Sequence, residues 1–463
     1  MTSFEDENET KNAEICLARN PQKSSLGNFN LMKGIPNWFV ALWCLLMPVT
    51  SFLLIRSAQG TIPAYIFAFI SVGFVILGRD WGRPCLQRRH YITLAVAIGA
   101  IWLLLLCGSQ LGHLISGRHD FGELFLNNPS DTRVVLRPVI FTQTLYLAAC
   151  LCIALFFRFF FRPEWMRYVL WGAWFLAIYG IYEWIYFLVF QRPGDFLGNR
   201  TYGEDMQTGS WSQTIQLGPF NLLRIKSTYG EPSFLSAAVV PYLFLALENR
   251  KKLLSAALLF CTVFSTSTSA YAGLAFALFV YCVLKRKFTA PLILVLLLFA
   301  GALVGLYFAY PDTFDAIFTN KINGEAGSGD MHQAAQEAMF ATLKSFTPMN
   351  HLFGIGFGYY YGSVLTTMLI NTGWIGLAIY CYAFLKPAIL LRSNGGALGL
   401  KVGLATIFFL YCINVSEFFL PTTWMFLGLA YWRLDQQKLG ERSDRSQEME
   451  LSVRRGLAHA RQA

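Results

Sequence analysis

The stretch Arg224-Ile-Lys-Ser-Thr-Tyr-Gly-Glu-Pro-Ser-Phe-Leu-Ser236 places an arginine, a lysine and a glutamate at the head of a run, 232–247, that is apolar enough to enter a bilayer. Pro232 directly follows Glu231, and proline is tolerated in the first turn of a helix. The pattern reads as a charged loop feeding a helix in lipid, and solid apolar runs recur along the whole chain. In lipid every backbone N–H and C=O must be bonded within the segment, so such runs are helices; a β-barrel would alternate over about ten residues instead.

Composition agrees. Hydrophobic residues make up 55% of the chain, aromatic ones 16% and charged ones 14%, a balance that would leave a soluble domain with large exposed apolar patches. Measured against the ~20 residues that cross a hydrocarbon core, candidate spans fall at 38–55, 62–78, 91–107, 139–157, 168–190, 232–247, 253–268, 270–284, 289–309, 363–385, 398–414 and 419–432. The expected fold is an all-α, polytopic integral membrane protein of about 12 transmembrane helices with long extracytoplasmic loops. The runs 253–268 and 270–284, separated by Ser265-Thr-Ser-Thr-Ser269, read as a tight hairpin or as one kinked element.

Of the 37 Lys and Arg residues, 27 lie in segments that a single orientation puts on the cytoplasmic side, which predicts that both termini are cytoplasmic. The organisation is then a cytoplasmic tail, 1–37, a transmembrane domain, 38–432, with extracytoplasmic loops 108–138, 191–231 and 310–362, and a basic cytoplasmic tail, 433–463. Residues 1–30 are polar, so the first apolar run is the expected insertion signal in place of a cleaved leader. The ends 1–30 and 433–463 read as mobile. The net charge of +10 comes mainly from these inside segments and the tail, so no nucleic-acid partner is indicated. The ten cysteines lie in spans or on the cytoplasmic side, apart from Cys107 at a membrane edge, and suggest no disulfide framework.

Loops longer than about 12–15 residues are usually functional or disordered. The first long loop carries Arg118, Arg133 and Arg137, the second Arg192, Arg200, Arg224, Lys226 and Glu231, and the third His332, Glu337, Lys344 and His351. Each arginine alone reads equally well as a helix cap or a snorkelling residue. As a set they stand on the side where positive charge is depleted. Arg137 and Arg224 stand at the membrane ends of their loops, the depth of a lipid diphosphate, and a guanidinium fork matches phosphate oxygens bidentately. Glu231 reads either as a charge favouring a helix N-terminus or as a general base, with burial raising its pKa and an arginine lowering it. His332 lies on an expected amphipathic helix, 330–346, as a surface residue or an acid–base group. His351 precedes Leu352-Phe-Gly-Ile-Gly-Phe-Gly358, whose glycines permit close backbone approach. The outside loops hold no Asp-x-Asp, His-Glu-x-x-His or Cys/His cluster, and the chain has no Walker motif, so neither a metal nor a cofactor is indicated. Ionisable residues deep in spans are nearly absent apart from Glu183, which argues against a proton-coupled transporter.

Three stretches carry a family resemblance: Arg224 to Ser236; Ser265-Thr-Ser-Thr-Ser-Ala-Tyr-Ala-Gly273; and His351 to Gly358 followed by Met368-Leu-Ile-Asn-Thr-Gly-Trp-Ile-Gly376. In this order, with the span count and the large outside loop, the C-terminal half resembles the O-antigen ligase and polymerase superfamily. Ligases of that superfamily usually carry a histidine before the span that follows the glycine run, and a glutamate where this chain has Asn371. Here the run is followed by Tyr359-Tyr-Tyr-Gly-Ser363, so the resemblance points to the polymerases that join lipid-linked repeat units of bacterial surface polysaccharide.

It implies a metal-independent glycosyltransferase in the bacterial inner membrane that uses a polyprenyl-diphosphate-linked oligosaccharide. Its partners would be the lipid bilayer and a chain-length regulator protein. On this reading the catalytic set is Glu231, Arg224 and His332, and the substrate and diphosphate set is Arg137, Arg133, Arg192, Arg200, Lys226, Tyr229 and His351. The competing readings are a ligase-type transferase, a polysaccharide-lipid flippase or other transporter, and a non-catalytic membrane scaffold.

Overall fold

The computed structural model describes residues 35–460 apart from 57, 78–85, 117–120, 122–123, 125, 201–212, 218–219, 286–300, 302–307, 309–336, 394–395 and 414, with the backbone alone over 442–460. The helices are α1 (Asn37–Leu46), α2 (Pro63–Leu77), α3 (Leu86–Ser116), α4 (Val139–Phe160), α5 (Met166–Phe190), α6 (Pro232–Glu248), α7 (Lys252–Phe264), α8 (Thr268–Lys285), α9 (Pro348–Phe353), α10 (Val364–Leu390), α11 (Leu398–Ile413) and α12 (Pro421–Ala460). One antiparallel hairpin, β1 (Thr214–Leu217) with β2 (Phe220–Leu223), stands in the loop before α6, with Thr214 opposite Leu223.

Among the described residues, five helical segments are long and apolar enough to cross a membrane: Leu86–Ser116, Val139–Phe160, Pro163–Phe190, Thr268–Lys285 and Val364–Leu390. The expected count of twelve is therefore too high for the described residues. For five of the expected spans the reason is length. The helices α1, α2, α6, α7 and α11 have 10, 15, 17, 13 and 16 residues, and at about 1.5 Å per residue none reaches across a core of about 30 Å. The expected span 289–309 lies almost entirely outside the described residues. Two other boundaries differ. Helix α3 continues past both ends of the run 91–107, and the tail after Tyr431 continues as helix to Ala460, in keeping with its many Glu, Arg, Gln and Leu residues.

Burial separates two kinds of apolar helix. Helix α6 has 14 of its 17 residues buried, packed against α7, α8 and α11, so a helix that is hydrophobic all round is enclosed by protein. The apolar window of α3 is only 11% buried, and it exposes Ile92, Val96, Leu103, Leu104 and Leu111. An apolar face of that kind belongs against lipid. Helices α7 and α8 are two separate helices joined by the turn at Ser265–Ser267, which resolves the hairpin alternative.

Candidate functional site

The glycine run is fixed against a break in α10. Gly373 has φ 67° and ψ −169° inside that helix, and Gly354 has φ 74°, both in the left-handed half of conformational space that only glycine enters cheaply. A Cβ on Gly354 would collide with the backbone of Asn371 and Thr372, and one on Gly373 with the backbone of Leu352 and Phe353. The carbonyls of Ile370 and Asn371, just before the break, accept the N–H groups of Ile355 (2.9 Å) and Gly356 (3.1 Å). The Asn371 amide then bonds both backbone groups of Tyr360, accepting from its N–H at 2.8 Å and donating to its C=O at 2.9 Å. The two segments of the third resemblance stretch are thus one unit.

Beside this unit lies a cavity of about 290 Å³. Its wall includes Tyr360, Tyr361 and Asn371, Tyr146 of α4, Arg200, and Ser416 to Phe419 of the turn between α11 and α12. Arg200 forms a largely buried ion pair with Glu417 (3.5 Å), and its Nε donates to the Gln59 Oε1 (3.1 Å). The backbone N–H of Arg200 donates to the Ser51 carbonyl (3.0 Å), and Thr50 and Ser51 donate to the Thr228 carbonyl at 3.0 Å each. The segment 48–51 therefore ties the loop of Arg200 to the loop before α6. Tyr361 and Ser416 share a hydroxyl–hydroxyl bond of 2.9 Å.

Glu231 is the N-cap of α6 and accepts a hydrogen bond from Ser233 Oγ (3.0 Å). Burial pushes its carboxyl above the ordinary value; the Ser233 bond pulls it back, the negative charge of Glu417 pushes it further up, and Arg224 lowers it. The two carboxylates thus lie within reach of each other's fields.

Arg224 grips the α7–α8 turn. Its Nε donates to Thr266 Oγ1 (3.1 Å) and its Nη2 to the Thr266 carbonyl (3.2 Å), while Nη1 bonds Gln213. Burial lowers the guanidinium pKa, opposed by the charges of Tyr271 and Glu231. The second resemblance stretch, Ser265 to Gly273, thereby meets the first.

The remaining expected residues are spread more widely. Arg137 is buried, donates to the Asn128 carbonyl (2.7 Å), and lies over the rings of Tyr359 and Phe121 at 5.4 and 5.9 Å. Its Nη2 also reaches the carbonyl of Asn127 (3.4 Å), which lines the cavity and donates its amide to Gly358 (2.9 Å); Arg137 shapes the wall from behind. Lys226 is fully buried and pairs with Asp195 (2.8 Å) and Glu183 (3.7 Å). Tyr229 is buried, its hydroxyl against Thr422 (2.7 Å). Arg133 is exposed and pairs with Asp131 (2.9 Å), and Arg192 is exposed. His351 is half-buried on α9 with its ring 5.5 Å from that of Phe346. His332 lies outside the described residues; of its expected helix, 337–344 is helical.

Sequence reasoning passed over Glu417 and Gln59. Glu417 carried a usable signal, as a lone acid between the apolar runs 398–414 and 419–432. No family model, curated protein or solved structure matches this chain.

Proposed function

We propose that the protein is a membrane glycosyltransferase that polymerises polyprenyl-diphosphate-linked oligosaccharide repeat units of a bacterial surface polysaccharide. The observation that carries this reading is the cavity at which Arg200 meets Glu417 under aromatic walls, with Glu231 and Arg224 in the adjoining field. A site that is part aromatic and part charged suits a sugar joined to a diphosphate, because ring faces take the sugar's C–H surfaces while guanidinium groups take phosphate oxygens.

In the reaction, a hydroxyl oxygen of the acceptor sugar attacks the anomeric carbon of the donor. The bond from that carbon to the diphosphate oxygen breaks, and polyprenyl diphosphate departs with the electron pair. Arg200, in the cavity wall, and Arg224 offset the charge that grows on the leaving group, the kind of preorganised stabilisation that dominates many enzymic rates. Glu231 takes the hydroxyl proton. Burial, which raises its pKa, makes it a stronger proton acceptor than an ordinary glutamate. The polyprenyl tail runs along the apolar outer faces of the helices, and the cavity opens on the extracytoplasmic side.

The test uses lipid-linked repeat units extracted from a strain lacking the gene. Purified protein in detergent is expected to turn them into a ladder of longer chains. Unchanged single repeats would refute the proposal.

A further inference from the structure

Glu417 belongs to no motif that pointed to the site, yet its surroundings are those of a ligand-binding carboxylate. One oxygen faces the Arg200 guanidinium at 3.5 Å. The other accepts the backbone N–H of Phe419 at 3.4 Å. An ionised carboxylate offers about four lone-pair directions, so two long contacts leave acceptor capacity on a group that lines the cavity. The position is fixed from both ends: Arg200 is anchored through Gln59 and the Ser51 carbonyl, and the neighbouring Ser416 is tied to Tyr361. Next to the carboxylate, Phe419 packs edge-on against Tyr146 (5.7 Å) and Phe357 (6.2 Å), and all three rings line the same cavity. A carboxylate held beside aromatic rings presents hydrogen-bond acceptors next to apolar faces. Sugars carry the complement, hydroxyl donors around an apolar ring surface.

We propose that Glu417 is the residue that binds and orients the acceptor saccharide, accepting hydrogen bonds from its ring hydroxyls so that the attacking one points toward Glu231. Arg200, besides facing the leaving diphosphate, holds the Glu417 carboxylate in position. The assignment rests on the glycosyltransferase reading. It divides the two carboxylates by their places: Glu417, held by an arginine in the cavity wall, binds the sugar, while Glu231, at the head of α6, takes the proton.

The experiment varies an acceptor repeat unit bearing a clipped, water-soluble lipid tail, at fixed concentration of the full-length lipid-linked repeat. It compares wild type, Glu417→Gln and Glu417→Asp, each first checked for a single detergent-solubilised peak, with its melting transition recorded. Glu417→Gln is expected to raise the KM for the acceptor about 10- to 100-fold, the loss that follows when a hydrogen bond to a charged group goes, with kcat within a few-fold of wild type. Glu417→Asp, which keeps the charge at a shorter reach, recovers part of that affinity. An ion pair that only braces the fold predicts a lowered melting transition with acceptor KM unchanged, and that result overturns the assignment. So does a Glu417→Asp enzyme with wild-type KM, should the glutamine variant not fold. Absence of any ladder from wild type instead refutes the glycosyltransferase reading itself, and this assignment with it.

Discussion

Glu231 is a carboxylate whose proton affinity is set by three neighbours of known sign. Burial and the charge of Glu417 raise its pKa, and the Ser233 hydrogen bond and Arg224 lower it. A general base works only when deprotonated, so the rate falls as pH drops through that pKa, and the acid limb stands above the ordinary glutamate value of about 4.3. Removing the positive charge in Arg224→Gln raises the Glu231 pKa and moves the limb to higher pH. Removing the negative charge in Glu417→Gln moves it to lower pH. These opposite displacements are read from pH–rate profiles of kcat/KM, and shifts of the same sign would exclude Glu231 as the titrating group. Glu231→Gln is expected to lose about 10² to 10⁴ in rate while still binding the lipid substrate. Part of this site was legible in the sequence: Glu231 before Pro232 and Arg224 ahead of it. The contact between Arg200 and Glu417 was not, because they are held together by tertiary contacts among the segments 48–51, 198–200 and 415–419, and no local pattern encodes such a meeting. Lys226 marks the opposite case. Its charge read as a ligand for diphosphate, whereas it is consumed in the interior by Asp195 and Glu183. Lys226→Met leaves two carboxylates in the bundle with no cation, at a cost of about 3–5 kcal/mol, and the detergent-solubilised variant should melt well below wild type. An unchanged transition would show that the buried pair carries no stability.

At the scale of elements, the glycines divide by what surrounds them. Gly373→Ala puts a Cβ into the backbone of Leu352 and Phe353 at a positive φ of 67°, costing about 1–3 kcal/mol for the conformation alone and more for the displaced chain. Gly99 on α3 has open space where its Cβ would stand, and Gly99→Ala should gain up to about 1 kcal/mol in helix propensity. Thermal unfolding of the pair checks this; equal transitions would mean that the break in α10 is not seated on the glycine run. Element positions were largely readable. The expected starts at 139, 232 and 398 coincide with the starts of α4, α6 and α11, since apolar runs bounded by Pro, Gly and charge declare themselves. The number of spans was not readable, because hydropathy does not separate a helix buried by protein from one bathed in lipid. Helix α6, enclosed on nearly all sides, and α3, largely bare, are both strongly apolar.

For the whole molecule, the described bundle is an α-helical frame with five segments fit to cross a membrane. At one cavity it brings together the glycine run, Arg200 and the turn that carries Glu417, and Arg224 ties the loop before α6 to the α7–α8 turn. A polysaccharide-lipid flippase would share much of that frame and differ in one respect, that it moves its substrate without breaking a bond. The decisive measurement therefore reconstitutes the purified protein in vesicles with the lipid-linked repeat unit and counts released polyprenyl diphosphate against new glycosidic linkages. The polymerase account predicts one diphosphate lipid freed for each linkage formed, with both signals lost together in Glu231→Gln. Transfer of intact repeat units across the vesicle membrane, with no diphosphate released and no lengthening of chains, would contradict it.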